Sequence, residues 1–321
     1  MDAPVSLYAI PRPITDAADC WFYHTIDLPG VGTVEGEWDL RGGVDAYLGH
    51  QNWNGKRVLE LGTASGYLCF AMEERGANVV AFDQAPGLEP DLIPLATEQN
   101  LGEKARGMNV LTERLRNSYW FCHRLRKSKA QVVYGNIYDL PPAIGPVDVA
   151  TFGCILLHLR DPFLALANAA RFVKEAIVVT EVFYQNEWDA RILGAEYLPA
   201  PTEPPLAPPT TFVGHVRRKL RPIKRALLGS PPVPSPPVTS VPAVVFMPNP
   251  ADPTLPTKLY SWWQFSPAAL QRMLGVLGFA DSTVTTHTQI FQKTNRVQLF
   301  TVVARRTAPA PSRIAGPYPW Y

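Results

Sequence analysis

The chain has 321 residues, 46% of them hydrophobic and 18% charged, which excludes a disordered polymer and allows one large core or two modest ones. A net charge of +2 selects neither nucleic acid nor membrane, so any such preference must come from local clusters. The opening "MDAPVSLYAIPRP" lacks the basic head and apolar core of a secretory signal, and no run reaches the ~18 apolar residues of a membrane span. The 4 cysteines (Cys20, Cys69, Cys122, Cys154) form no CxxC pair. These features predict a cytoplasmic protein with reduced thiols, no integral membrane segment and no metal site.

Residues 1–50 form an aromatic-rich lead-in, in which Trp21, Tyr23, His24 and Trp38 either close over a ligand or pack an N-terminal flap. The first clear element is "RVLEL", a short buried strand, followed by the small-residue turn Gly62–Gly66 and the amphipathic helix "SGYLCFAMEERGA", with Gly76 as its stop. "NVVAFD", "QVVYG", "VDVATFG" and "AIVVTEVF" are four further strands. Between the second and third of the five, a helix with the apolar turn Tyr119–Phe121 ends in "HRLRKSK". That helix presents either a core-facing turn beside a solvated basic face or an acceptor-binding surface. Between the fourth and fifth, "RDPFLALANAARFV" reads as a helix capped by Asp161, with Pro162 at its first position.

Roughly half of the 33 prolines lie between Pro199 and Pro256, a density that no helix or inner strand survives. Between the proline blocks, "HVRRKLRPIKRALLG" is either a solvated spacer or a basic anchor for RNA or an anionic membrane surface. "SPAALQRMLGVLGF" then repeats the Ser-Pro helix entry, and strands near "DSTVTTH" and "RVQLFTVVA" close the sheet as an antiparallel pair. The expected organisation is an N-terminal flap (1–50), a catalytic domain in two parts (51–198 and 243–306), a proline-rich basic insert (199–242) and a proline-rich tail (307–321). The expected fold is α/β and Rossmann-like: a mostly parallel seven-stranded sheet with helices on both faces and an antiparallel final strand.

In an open parallel sheet the ligand crevice lies beyond the carboxyl ends of the strands, and Gly62, Thr63, Ala64, Ser65 and Gly66 form its floor. Small residues let backbone approach a ligand closely, and Asp83, ending the second strand, suits a carboxylate on ribose hydroxyls. The turn is not a dinucleotide fingerprint, because the second and third glycine positions are Ala64 and Tyr67. Glu60, Gly62 and Gly66 instead give E-x-G-x-x-x-G. With "FD", "GNIYDLP" and "LLHLRDP" after the next strands, the chain resembles the class I S-adenosylmethionine-dependent methyltransferases.

Adding "WFYHTIDLPGVGTVEGEWDLR" and "SWWQFSP", it is similar to the branch of the tRNA wobble-uridine carboxymethyltransferases over roughly Trp21–Glu181 and Val244–Arg305. Where those enzymes carry a basic stretch helping to hold a carboxylated cofactor, this chain has Val34, Glu35, Gly36, Glu37 and Trp38, which favours the ordinary methyl donor. The resemblance implies that Glu60 lies near the methionine amino end, Gly62, Thr63, Ala64 and Gly66 pass beneath the cofactor, and Asp83 holds the ribose. It further places Asn136 and Ile137 beside the adenine, and Phe152 and Gly153 as backbone near the methionine. His158 is either a general base or a locally bonded helix-entry residue, and Glu181 either a substrate contact or a solvated loop acid.

Three functions stay open. One is methyl transfer to a small molecule or a saccharide- or lipid-linked metabolite. Another is RNA modification, aided by the basic tracts Arg106–Lys129 and Arg217–Arg225. The third is a cofactor-binding module without chemistry.

Overall fold

The structure, a computed structural model, describes residues 6–96, 98–183, 242–248 and 260–309. The basic insert and most of the proline-rich tail lie outside the described residues.

Three short strands open the chain: β1 (Ile26–Leu28) and β2 (Gly32–Val34) pair as a hairpin, and β3 (Trp38–Asp39) follows. One turn of helix, α1 (Val44–Tyr47), leads to β4 (Arg57–Leu61), α2 (Tyr67–Glu74) and β5 (Asn78–Gln84). The long α3 (Leu101–Arg126) precedes β6 (Gln131–Gly135) and β7 (Val147–Gly153). After α4 (Pro162–Ala170) come β8 (Val173–Val182), β9 (Val244–Phe246), β10 (Trp263–Phe265), α5 (Pro267–Val276), β11 (Asp281–Phe291) and β12 (Asn295–Arg305).

The main sheet has eight strands in the order β3-β11-β12-β8-β7-β4-β5-β6. From β8 to β6 all pairs are parallel, whereas β12 runs antiparallel to β8, β11 to β12 and β3 to β11. This is the Rossmann-like architecture expected, with one strand more: Trp38 and Asp39 pair with Phe291 and Ile290 and tie the flap to the sheet's far edge.

Period-two alternation of the parallel strands produces two apolar layers. Leu59, Leu61, Val80, Phe82, Val133 and Phe152 face the layer containing α4 and α5. Val58, Val79, Ala81, Val132 and Val149 face the one with α2 and α3. The flap belongs to that second layer, to which it gives Ile26, Leu28, Leu40, Val44 and Tyr47.

Both Pro-headed helices start as their sequences dictate. Asp161 accepts a hydrogen bond from the Leu164 N–H at 2.9 Å, and Ser266 accepts one from the Ala269 N–H at 3.1 Å. These caps set where α4 and α5 meet the sheet. β5 and β7 flank β4 on opposite sides, and the connection changes direction there, so the crevice opens at the carboxyl end of β4.

Candidate cofactor and acceptor site

The turn after β4 is held open by backbone conformation. Gly62 (φ 80°), Ala64 (φ 51°) and Gly66 (φ 87°) all sit in the left-handed region, and only two of them are glycine. Gly66 has a second reason for lacking a side chain, since a Cβ there would lie 2.5 Å from the Phe70 ring and 2.7 Å from Tyr119. The Gly62 N–H donates to the Phe82 carbonyl at 2.9 Å, which stitches the turn to the neighbouring strand.

Two carboxylates face this turn. Asp83 is held at both oxygens by backbone: Ala64 N–H donates to Oδ2 at 3.0 Å and Gln84 N–H to Oδ1 at 2.7 Å. Burial pushes its carboxyl up, opposed by those two donors and by the Arg116 guanidinium. Glu60 is 2% exposed; its Oε2 accepts from the Thr63 hydroxyl at 2.7 Å, while Oε1 is buried without a partner. Burial raises Glu60 to about 7, with the Asp83 charge adding to the effect and the Thr63 hydrogen bond opposing it. An unsatisfied buried carboxylate oxygen is expensive. Here it sits on the floor of a small-residue turn, where a cationic ligand group would satisfy it. The residues therefore fit S-adenosylmethionine: Glu60 towards an ammonium, the Gly62–Gly66 backbone beneath, and Asp83 towards the ribose.

The remaining predicted cofactor residues line the adjoining strand ends. Phe152 is 1% exposed, with its ring in the α4 and α5 layer, so only its backbone and that of Gly153 reach the crevice. Asn136 and Ile137 follow β6; the Asn136 side-chain oxygen accepts the Tyr138 N–H at 2.9 Å and makes a tight local turn.

The two candidate catalytic residues are gathered around the 3-10 turn Leu156–His158 after β7. His158 Nδ1 lies 2.7 Å from the Tyr260 carbonyl oxygen, a contact that requires a proton on Nδ1 and leaves Nε2 as the acceptor. Burial lowers the ring's pKa, partly offset by that hydrogen bond, and so keeps the ring neutral. Glu181 is not a solvated loop acid: it is 3% exposed, on β8, and its Oε1 accepts the Leu156 N–H at 3.1 Å. Burial raises it to about 8. The two candidates thus meet at opposite ends of one short turn.

The "SWW" segment locks that turn in place. Trp262 N–H donates to the Leu157 carbonyl at 2.8 Å, and Trp263 Nε1–H to the Leu159 carbonyl at 3.0 Å.

Sequence pointed to Ser65 and His24 separately but not to their contact, and carried no signal for Asp91. Ser65 Oγ accepts the His24 N–H at 3.2 Å and contacts its Nδ1 at 3.3 Å, so the flap touches the glycine turn directly. Burial depresses His24 to about 3, which leaves it a neutral hydrogen-bonding residue. Asp91, in the loop after β5, accepts from the Tyr138 hydroxyl and from the Arg160 N–H at 3.0 Å, while its carbonyl accepts the Trp262 Nε1–H at 2.7 Å. Nothing in the spacing of these residues announces the clasp, because its members lie on four separate segments.

The core-facing turn of α3 lies beside an exposed basic face that includes Arg114 and Arg124 on the helix and Lys127 and Lys129 just past its end. Tyr119, Trp120 and Phe121 are buried as a core-facing turn requires. Four arginines of α3 also make internal bonds. Arg114 donates to the carbonyls of Ala18 and Cys20, Arg124 to that of Ile14, and Arg126 to that of Asp27 and to Glu74; Arg116 pairs with Glu113. They pin the flap.

Among the described residues, no group of three His, Cys, Asp or Glu side chains could hold a metal ion, and no helix is long and apolar enough to cross a membrane. A broad depression of about 720 Å³ lies at the other edge of the sheet, beside the first residues of β4, β5 and β6, remote from this site.

No protein-family model and no curated protein matches the chain. Among solved structures, it is similar to the N-terminal domain of EvdMO1 in the presence of SAH and D-fucose, at 17% identity over 89% of this chain and 91% of that one, with a TM-score of 0.48. The magnesium protoporphyrin IX methyltransferase ChlM from Synechocystis PCC 6803 with bound SAH is 13% identical over 83% and 81%, with a TM-score of 0.40. A Burkholderia thailandensis 1,6-didemethyltoxoflavin-N1-methyltransferase is 13% identical over 84% and 78%, with a TM-score of 0.41.

Proposed function

We propose that the protein is an S-adenosylmethionine-dependent methyltransferase that acts on a small molecule. The supporting observation is the pair of buried carboxylates at the glycine turn: Glu60, with one oxygen unpartnered, and Asp83, aimed by the Ala64 N–H. A cationic amino acid linked to a nucleoside meets both demands, whereas a pyrophosphate would bring negative charge towards two acids. When bound, the cofactor supplies an electrophilic methyl group on a positively charged sulfur.

The chain's own residues do the rest. The glycine turn and Asp83 fix the position from which the methyl leaves, and orientation of this kind supplies much of the rate gain in a displacement. The flap, bonded to Ser65 through His24, excludes water from above the turn. His158 Nε2 takes the proton of an oxygen or nitrogen acceptor. Its Nδ1–H bond to the Tyr260 carbonyl sets the ring's orientation and tautomer. Glu181 holds the Leu156 end of the same turn.

On α3, Arg116 and Arg126 are paired with Glu113 and Glu74, and Arg114 and Arg124 spend donors on carbonyls of the flap, so fewer guanidinium donors are free for phosphates than the sequence suggests, which favours the small-molecule acceptor over tRNA. The tract Arg217–Arg225 lies outside the described residues. Incubation with methyl-labelled S-adenosylmethionine and cell extract tests the reading. Label should enter a low-molecular-weight fraction; label in RNA would support the alternative, and no turnover with intact cofactor binding would leave a binding module.

A further inference from the structure

Beside the flap, a groove of about 400 Å³ runs between Trp21–Phe22 and the β11–β12 turn. Its acidic wall is Glu35 and Glu37, and Lys293 stands opposite. Lys293 Nζ pairs with Glu35 at 2.5 Å, so the two charges cancel and Glu37 remains as the net charge. Glu37 is half-buried, and its side chain has no hydrogen-bond or ion-pair partner among the described residues; burial alone pushes its carboxyl up. A carboxylate with no protein partner at the wall of a groove is free to form a charge-assisted hydrogen bond with a cationic ligand.

The groove is rigid on both sides. Trp21 N–H donates to Ser118 Oγ at 2.9 Å, and that hydroxyl donates to the Trp21 carbonyl at 2.6 Å, so α3 fixes the aromatic wall. Opposite, the Gln292 N–H donates to the Glu37 carbonyl at 2.6 Å. Aromatic faces beside an unpaired acid in a preformed groove match one ligand chemistry, an alkylated or primary ammonium, through charge and cation–π attraction together. Gly36 joins the groove to the glycine turn: it lines the groove and packs so closely on the His24 backbone that a Cβ there would lie 2.3 Å from it, and the His24 N–H donates to Ser65 of that turn at 3.2 Å.

We infer that this groove binds a cationic amine group of the small-molecule acceptor, with Glu37 as counter-ion and Trp21 as the aromatic face. Assignment of the amine to a methyl acceptor rests on the methyltransferase reading; the cation site itself does not. The test uses choline and its uncharged isostere 3,3-dimethyl-1-butanol, titrated by NMR into the full chain at low salt, with and without saturating SAH. Choline should bind roughly tenfold more tightly than the isostere and shift the Trp21 indole resonance, and Glu37→Gln and Trp21→Leu should each remove most of that preference. Equal affinity for the two probes, or no choline binding, overturns the site on the parent protein alone, whatever the variants do. Choline preference in a protein that fails to bind SAH would keep the cation site and overturn its assignment to a methyl acceptor.

Discussion

Ala64 occupies the left-handed region at φ 51° in the turn on which the proposed site depends, and an L-residue there stores about 1–2 kcal/mol. Ala64→Gly should therefore stabilise the fold by roughly 0.5–1 kcal/mol, after the entropy that glycine adds to the unfolded chain, as read by denaturant midpoint. A loss of stability would mean that the methyl group is packed against something it needs. The sequence showed the substitution at this glycine position but not its cost, because φ depends on where β5 anchors the turn through Phe82 and Asp83.

The buried acids make a pH prediction at the same scale. Glu60 is raised to about 7 and Glu181 to about 8, so the folded state holds their protons while the unfolded chain has already released them. The stability they contribute is complete below about pH 4.5, the ordinary carboxylate range, and is lost as pH rises through about 7 to 8. Glu181→Gln should thus match the parent's melting temperature near pH 5 and exceed it near pH 9. An unchanged difference across that range would place Glu181 in water.

At the scale of elements, the turn Leu156–His158 couples β7, β8 and the "SWW" segment. His158→Asn should lower the catalytic rate ~10²-fold while leaving SAH affinity unchanged, with the residual rate recovering as pH rises through the acceptor's own pKa. A joint fall in stability and SAH affinity, with the same pH profile, would reduce His158 to packing. The α3 tethers predict a different phenotype. Replacing Arg114 and Arg124 with Ala should speed amide exchange across the flap while α4 and α5 stay protected, because the lost bonds all end on carbonyls before β1.

The five parallel strands and both Ser/Asp-Pro helix entries were legible in sequence because each is local: a short segment rich in apolar and β-branched residues, or a cap next to proline. β1, β2 and β3 were not, since two or three residues cannot display a period and β3 finds its partner at Phe291. The basic face of α3 reads as solvated, and Arg114 and Arg124 are exposed; what sequence could not show is that they also serve carbonyls about a hundred positions away.

For the whole molecule, the described residues form one eight-stranded sheet with a helical layer on each face, and the flap, the glycine turn and the "SWW" segment converge at the carboxyl edge of β4 and β7. In chain order the insert 199–242 falls between β8 and β9, and β9 pairs with β10 in a separate two-stranded sheet. On the sequence expectation that its proline density leaves the insert without a packed core, replacing Pro201–Pro237 with a short flexible linker should leave melting temperature and SAH affinity nearly unchanged. A large drop in melting temperature would show that the insert docks on the folded domain.

The central claim is that the turn between Glu60 and Asp83 receives S-adenosylmethionine. Calorimetric titration of the full chain with SAH and with NAD, repeated on Asp83→Ala, tests it most directly. SAH should bind at one site per chain and NAD should not, and Asp83→Ala should cost about 1.5–3 kcal/mol per lost charged hydrogen bond with the fold intact. Tighter binding of NAD than of SAH, or equal SAH affinity in the variant and the parent, would contradict it.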